Sequence, residues 1–253
     1  MVTAPFHCLV LTEDSGQKSF DVVEAVARKV LRLLGEGAAI DLVEVEPGDE
    51  RARRAMGFNG YRSTKPRDDH RRIDIAAAIV TQLLREDMPR FVIMHVDGDR
   101  RWSERGRAPG PICELQGLFE RNIVRRVREG LRQKGRPELL ERLLYMIPFW
   151  SIEAWLYQNS TELQKIYSED PRRHERDAEL LAAWREDPSG LDEVERPKAR
   201  AMTFQDGYNQ RLARTFPGRK VYELGQSFTY SVDEFRRCEP LFVALQALKY
   251  TAG

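Results

Sequence analysis

Three short stretches put chemistry-bearing side chains directly after apolar runs. "LVLTED" ends on Glu13 and Asp14, "MHVDGD" carries Asp97 and Asp99, and "FWSIEAW" contains Ser151 and Glu153. Carboxylates packed together raise one another's pKa and cost stability unless something positive lies between them. Mg²⁺ or Mn²⁺ resolves that conflict, because hard divalent cations take oxygen ligands and leave room for water and phosphate. Two such ions about 3.5–4 Å apart activate a water and stabilise the leaving oxygen in phosphodiester cleavage. Each stretch also has a plainer reading. Asp-x-Asp is common in solvated loops and Asx turns. Glu13 could cap a following helix, and Ser151 with Glu153 could be an N-cap and a first-turn acid.

The elements that must position these residues follow from periodicity. "FHCLVL" (6–11), "AIDLVEV" (39–45), "FVIMHV" (91–96) and "RLLYMIPF" (142–149) read as strands. Residues 21–34, 73–86 and 117–133 show apolar residues at helical spacing, and "IEAWLYQN" begins another helix. Residues 51–72 read as a polar loop or a small excursion, and residues 100–111 as a polar loop. Strands alternating with helices imply βαβ units and a parallel sheet, whose ligands sit at the carboxyl ends of the strands. The acidic stretches fall at those ends. Asp97 and Asp99 share a side if strand geometry continues, and Gly98 between them admits a close backbone or ligand. Beyond about Asn159 the pattern is helical and charge-rich, as in an extension packed on the sheet.

In this order, Glu13, Asp97/Asp99 and Ser151/Glu153 resemble the Toprim domain of topoisomerases, bacterial primases and overcoming-lysogenization-defect nucleases. "IEAWL" also resembles a motif of Toprim-like proteins in phage-defence operons. The resemblance covers roughly residues 6–160. It implies an α/β fold: a Toprim-like parallel sheet of about four strands flanked by helices, with a helical C-terminal extension. Residues 1–160 would be the catalytic domain, with an inserted polar segment at 48–72, and 161–253 the extension. Carried over, Glu13 is a metal-binding or acid/base carboxylate, Asp97 and Asp99 are metal ligands, and Ser151 and Glu153 form the second-metal shell. Of the downstream lysines, Lys165 is carried forward as catalytic, with Lys198 and Lys220 left open. The chain departs from the pattern where Asp14 replaces the glycine after the first acid, and where Gln17 stands at a position that is often acidic.

The expected function is a Mg²⁺- or Mn²⁺-dependent Toprim endonuclease using two ions on DNA or RNA. The resemblance implies a toxic anti-phage effector controlled by an ATPase partner from a neighbouring gene. A homo-oligomer is compatible with it. The alternatives are a degenerate Toprim scaffold that binds nucleic acid or a protein without cutting, and a haloacid-dehalogenase-type phosphatase with Asp97 as nucleophile. The phosphatase motif normally opens its chain and has Thr or Val where Arg101 stands.

Charge and composition restrict these readings. A formal net charge of +1 gives no global field toward nucleic acid. Local cations are abundant. Arg100 and Arg101 adjoin the aspartates, Arg121, Arg125, Arg128 and Arg132 form one helical stripe, and eight more basic residues lie between Arg51 and Arg72. Phe58, Tyr61 and Trp102 among them could stack on unpaired bases. The plainer reading is that arginines solvate loops and helix faces. Phe149, Trp150 and Trp155 read as core or interface. Three scattered cysteines and four scattered histidines argue against a disulfide framework and a zinc site. No Walker A sequence is present. No signal-peptide pattern or membrane-length apolar run is seen, so a cytoplasmic protein without membrane contact is expected.

Overall fold

A computed structural model describes residues 6–13, 16–57, 61–98, 117–169, 171–193 and 207–250. Four strands form one sheet in the order β2-β1-β3-β4. They are β1 (His7–Thr12), β2 (Glu44–Pro47), β3 (Arg90–His95) and β4 (Leu143–Met146). Every pairing is parallel: His7 lies beside Glu44 and Arg90, Thr12 beside His95, and His95 beside Met146. The expected α/β architecture, with a four-stranded parallel sheet between helices, is what the chain adopts. The inner strands β1 and β3 are buried along their whole length. That is why they read as unbroken apolar runs, for a parallel sheet is covered on both faces.

Helix α1 (Gln17–Leu34) places Val23, Val26, Val30 and Leu31 on one buried side. These pack on the sheet face formed by Cys8, Val10, Ile93 and Leu144. Helices α8 (Tyr208–Arg214), α10 (Ser227–Arg237) and α11 (Glu239–Tyr250) complete this core with Leu212, Phe228, Val232, Phe235 and Leu241. The opposite face, with Leu9, Leu11, Val92 and Met94, is covered by α2 (Glu50–Gly57), α3 (Asp69–Leu83) and α4 (Arg125–Gln133). A π turn over Glu120–Val124 leads into α4. Short helices α5 (Ile152–Leu156), α6 (Ser160–Ser168) and α9 (Gly218–Glu223) and the longer α7 (Pro171–Glu186) fill the remainder. Trp155 and Phe149 are buried, as core residues should be. No helix among the described residues is long and apolar enough to cross a membrane.

Two expectations are corrected. The segment 39–45 is not a strand throughout. Ile40–Leu42 forms a 3₁₀ turn and the strand begins only at Glu44. Arg28 of α1 donates to the carbonyls of Ile40 (3.2 Å) and Val43 (3.1 Å), which binds this backbone to the helix instead. Residues 51–72 are also more than a loop. Ala52, Ala55 and Met56 give α2 a buried face. Arg72, itself buried, donates to the carbonyls of Ser63 and Lys65 and to Asp69, and so folds the connection between α2 and α3.

Candidate functional site

The ends of β1 and β3 and the start of α5 meet at one point. Adjacent parallel strands bring residues 13 and 97 together, and Glu13 N–H donates to the His95 carbonyl at 3.1 Å. The Glu13 carboxylate accepts the Asp97 backbone N–H at 2.9 Å. Asp97 Oδ1 in turn accepts the Ile152 N–H at 3.1 Å, so β3 holds the first turn of α5. Gly98 fits only because it has no side chain. A Cβ there would lie 2.4 Å from the Pro148 carbonyl and 2.7 Å from that of Phe149. The expected close approach at Gly98 is thus made by the β4–α5 backbone.

Two residues not anticipated as partners hold Glu13. Tyr61 Oη donates to Glu13 Oε2 at 2.8 Å, and Arg62 Nη2 lies 3.4 Å from the same oxygen. Arg62 also donates to the Asp97 carbonyl at 2.7 Å and to Tyr61 Oη at 2.8 Å. Burial, then the Glu13 charge, pushes the Tyr61 hydroxyl well above its ordinary range, so it stays a proton donor. Tyr61 is fully buried, which corrects the expectation that it stacks on bases. Some of the arginines between 51 and 72 are likewise paired with acids. Arg51 pairs with Asp74 at 2.6 Å and Arg71 with Asp68 at 3.2 Å, leaving less charge for phosphate than the sequence suggests.

Glu13 and Asp97 remain accessible, with 23% and 32% of their side chains exposed. Beneath them His95 is buried. Its Nδ1 is 3.2 Å from Thr12 Oγ1, and its Nε2 is 3.9 Å from Asp97 Oδ1. That Nε2 has no hydrogen-bond partner among the described residues. Burial lowers the imidazole pKa to about 3, so the ring is neutral at pH 7.

Ser151 occupies the N-cap position of α5 without a side-chain cap hydrogen bond, and Glu153 lies in the first turn. The Asp97 carboxylate instead accepts the N–H of Ile152, the first residue of α5. Glu153 makes itself felt at Tyr157, whose hydroxyl is pushed up by burial and then by the glutamate's charge. Glu13 does not cap α1, which starts after Gly16. Gln17, the departure noted above, donates to Asp21 at 2.8 Å on that helix. Lys165 is on α6, 3.4 Å from Glu162. Lys220 is exposed on α9. Asp14, Phe58, Asp99, Arg100, Arg101, Trp102 and Lys198 lie outside the described residues.

Arg121, Arg125, Arg128 and Arg132 are all exposed, as a helical stripe requires. Two of them are drawn to acids on the same helix, Arg128 to Glu120 at 2.8 Å and Arg132 to Glu129 at 3.2 Å.

Among the described residues, Glu13, Asp97 and Glu153 do not gather as a compact ligand trio. One such trio exists elsewhere: ligand atoms of His7, Glu44 and Glu46 lie within 4.8 Å of one another and could hold a metal ion. Sequence reading missed it, although Glu44-x-Glu46 on a strand beside one starting with His7 was a usable signal. No family model, curated protein or solved structure matches this chain. The Toprim resemblance therefore rests on the residues quoted for it and on their order.

Proposed function

We propose that this chain is a metal-dependent nuclease acting on nucleic-acid phosphodiesters at the carboxyl ends of β1 and β3. The observation that carries this reading is the junction of Glu13, Asp97 and the α5 N-terminus. It brings two accessible carboxylates onto adjacent strand ends, where parallel sheets place their ligands. Oxygen donors of this kind fit Mg²⁺ or Mn²⁺. Glu13, Asp97 and Asp99 would hold it, with Ser151 and Glu153 beside a second ion. When bound, such ions supply charge stabilisation and an activated water.

The chain's own groups have separate tasks. Tyr61 fixes the rotamer of Glu13. Arg62, with 21% of its side chain exposed, is placed to meet a phosphate oxygen as well as Glu13. Arg100, Arg101 and the stripe of Arg121, Arg125, Arg128 and Arg132 would track the nucleic-acid backbone, and Lys165 would act near the scissile phosphate. A controlling ATPase partner and a role as a toxic defence effector belong to the same proposal. Cleavage of supercoiled plasmid and of tRNA, with and without Mn²⁺, tests it. Equal background nicking by wild type, Glu13→Ala and Asp97→Ala would exclude it.

A second reading has its own support. Tyr61, Arg62 and the Ile152 N–H already satisfy oxygens of both carboxylates. That is what a non-cutting scaffold needs. Tight nucleic-acid binding without metal-dependent cleavage favours it.

A further inference from the structure

The opposite end of β1 carries a second group of ligands, about 20 Å along the strand from Glu13. His7 opens β1 and pairs in register with Glu44, the first residue of the edge strand β2. Side chains alternate along a strand, so Glu46 returns to the same face as Glu44. The three residues converge, with ligand atoms within 4.8 Å of one another.

The imidazole supplies an independent sign. The His7 side chain is only 1% exposed, yet among the described residues its Nε2 has no hydrogen-bond partner. That nitrogen is 3.1 Å from Glu46 Oε1, near enough for an ion pair but without hydrogen-bond geometry. Its other nitrogen, Nδ1, is engaged by the side-chain amide of Gln82 on α3. Metal-bound imidazoles are oriented by just such a partner on the far nitrogen. With the amide turned so that its oxygen accepts Nδ1–H, the Nε2 lone pair faces the two carboxylates. Amide orientation and imidazole tautomer are interchangeable assignments.

Charge points the same way, and the neutral imidazole is the ligating form. Arg90 does not neutralise the glutamates, because it is bound to Asp87 at 2.5 and 3.1 Å. Two carboxylates and a neutral imidazole leave room for a divalent cation.

The geometry points to a site for a first-row divalent transition ion such as Zn²⁺ on His7 Nε2, Glu44 and Glu46, tying the edge strand β2 to β1. An imidazole with carboxylates suits Zn²⁺, Co²⁺ or Mn²⁺ and disfavours Mg²⁺. Glu46, with Gln82, Asp49 and Asp74, also lines a groove of about 400 Å³ between β2 and α3. The ion would add a cross-link to a strand of only four residues.

Co²⁺ titration of the metal-free full chain, followed by visible absorption, tests this. Glu44 is exposed and Glu46 partly so, and their glutamine variants should therefore fold. The expected result is the strong visible absorption of one imidazole-bound Co²⁺ per chain, resolved from the weak absorption of Co²⁺ held by oxygen ligands alone at Glu13 and Asp97, displaced by Zn²⁺ and accompanied by a melting temperature raised by several degrees. Glu46→Gln should weaken the binding that gives this absorption at least tenfold, and the double variant Glu44→Gln/Glu46→Gln should abolish the absorption. Asp97→Asn should leave it unchanged, which separates this site from the proposed nuclease centre. Absorption equal in wild type and the double variant, or lost only in Asp97→Asn, would overturn the assignment.

Discussion

Glu13 is held by a phenol, a guanidinium and a backbone amide, and each restrains it differently. The Asp97 N–H ties it to β3, Arg62 provides charge, and Tyr61 provides direction from within the core. Tyr61→Phe removes one donor while Glu13 and Arg62 stay in place. The expected cost is about 1–2 kcal/mol in urea denaturation, the usual consequence of leaving partly buried polar partners short of a bond. The sequence could not display this contact, since Tyr61 lies 48 positions from Glu13 and belongs to a segment that reads as polar loop. Cys8 offers another residue-scale check. Burial pushes its thiol up to about 12. Cys8 and Cys238 are both free and buried, so neither should react with a thiol reagent at pH 8 until the protein unfolds. Mass spectrometry of a Cys113→Ser variant after labelling would detect it.

At the scale of elements, the junction depends on how closely the β4–α5 connection passes the end of β3. Gly98 lets it pass, and Gly98→Ala would drive a methyl into two carbonyl oxygens. A loss of roughly 1–3 kcal/mol is expected in thermal or urea melts, as for overpacking in a tight interior. If Gly98→Ala melts like wild type, the junction is looser than described. The two inner strands were legible, whereas β4 ends at Met146, three residues before the expected run does. β1 and β3 lie within one residue of the expected apolar runs, because strands buried on both faces are continuous in apolar residues. β2 was misplaced because Ile40 and Val43 are apolar for packing on the core, while their carbonyls are taken by Arg28. The His7, Glu44 and Glu46 group becomes visible only once the pairing of β1 with β2 is known.

At the scale of the whole molecule, the C-terminal helices complete the core on one sheet face. Leu212, Phe228, Val232, Phe235 and Leu241 share a cluster with Cys8, Val10 and the apolar side of α1. Removing residues 207–253 would expose that face to water, so the truncated chain should lose cooperative unfolding, as read by circular dichroism. The helical C-terminal pattern and its packing on the sheet were legible, but which of its residues enter the core was not, since periodicity shows that a face is apolar and not what it packs against.

The central claim is that the carboxylates at the ends of β1 and β3 make a hydrolytic metal centre. Its most direct test is the initial rate of plasmid and tRNA cleavage by the purified chain, with its partner if one is required, across a Mn²⁺ titration. Cleavage should rise with Mn²⁺ in wild type and fall at least 100-fold in Asp97→Asn, with the variant's melting curve still cooperative. Cleavage that is absent in wild type at every Mn²⁺ concentration, or equal in Asp97→Asn, would contradict the account.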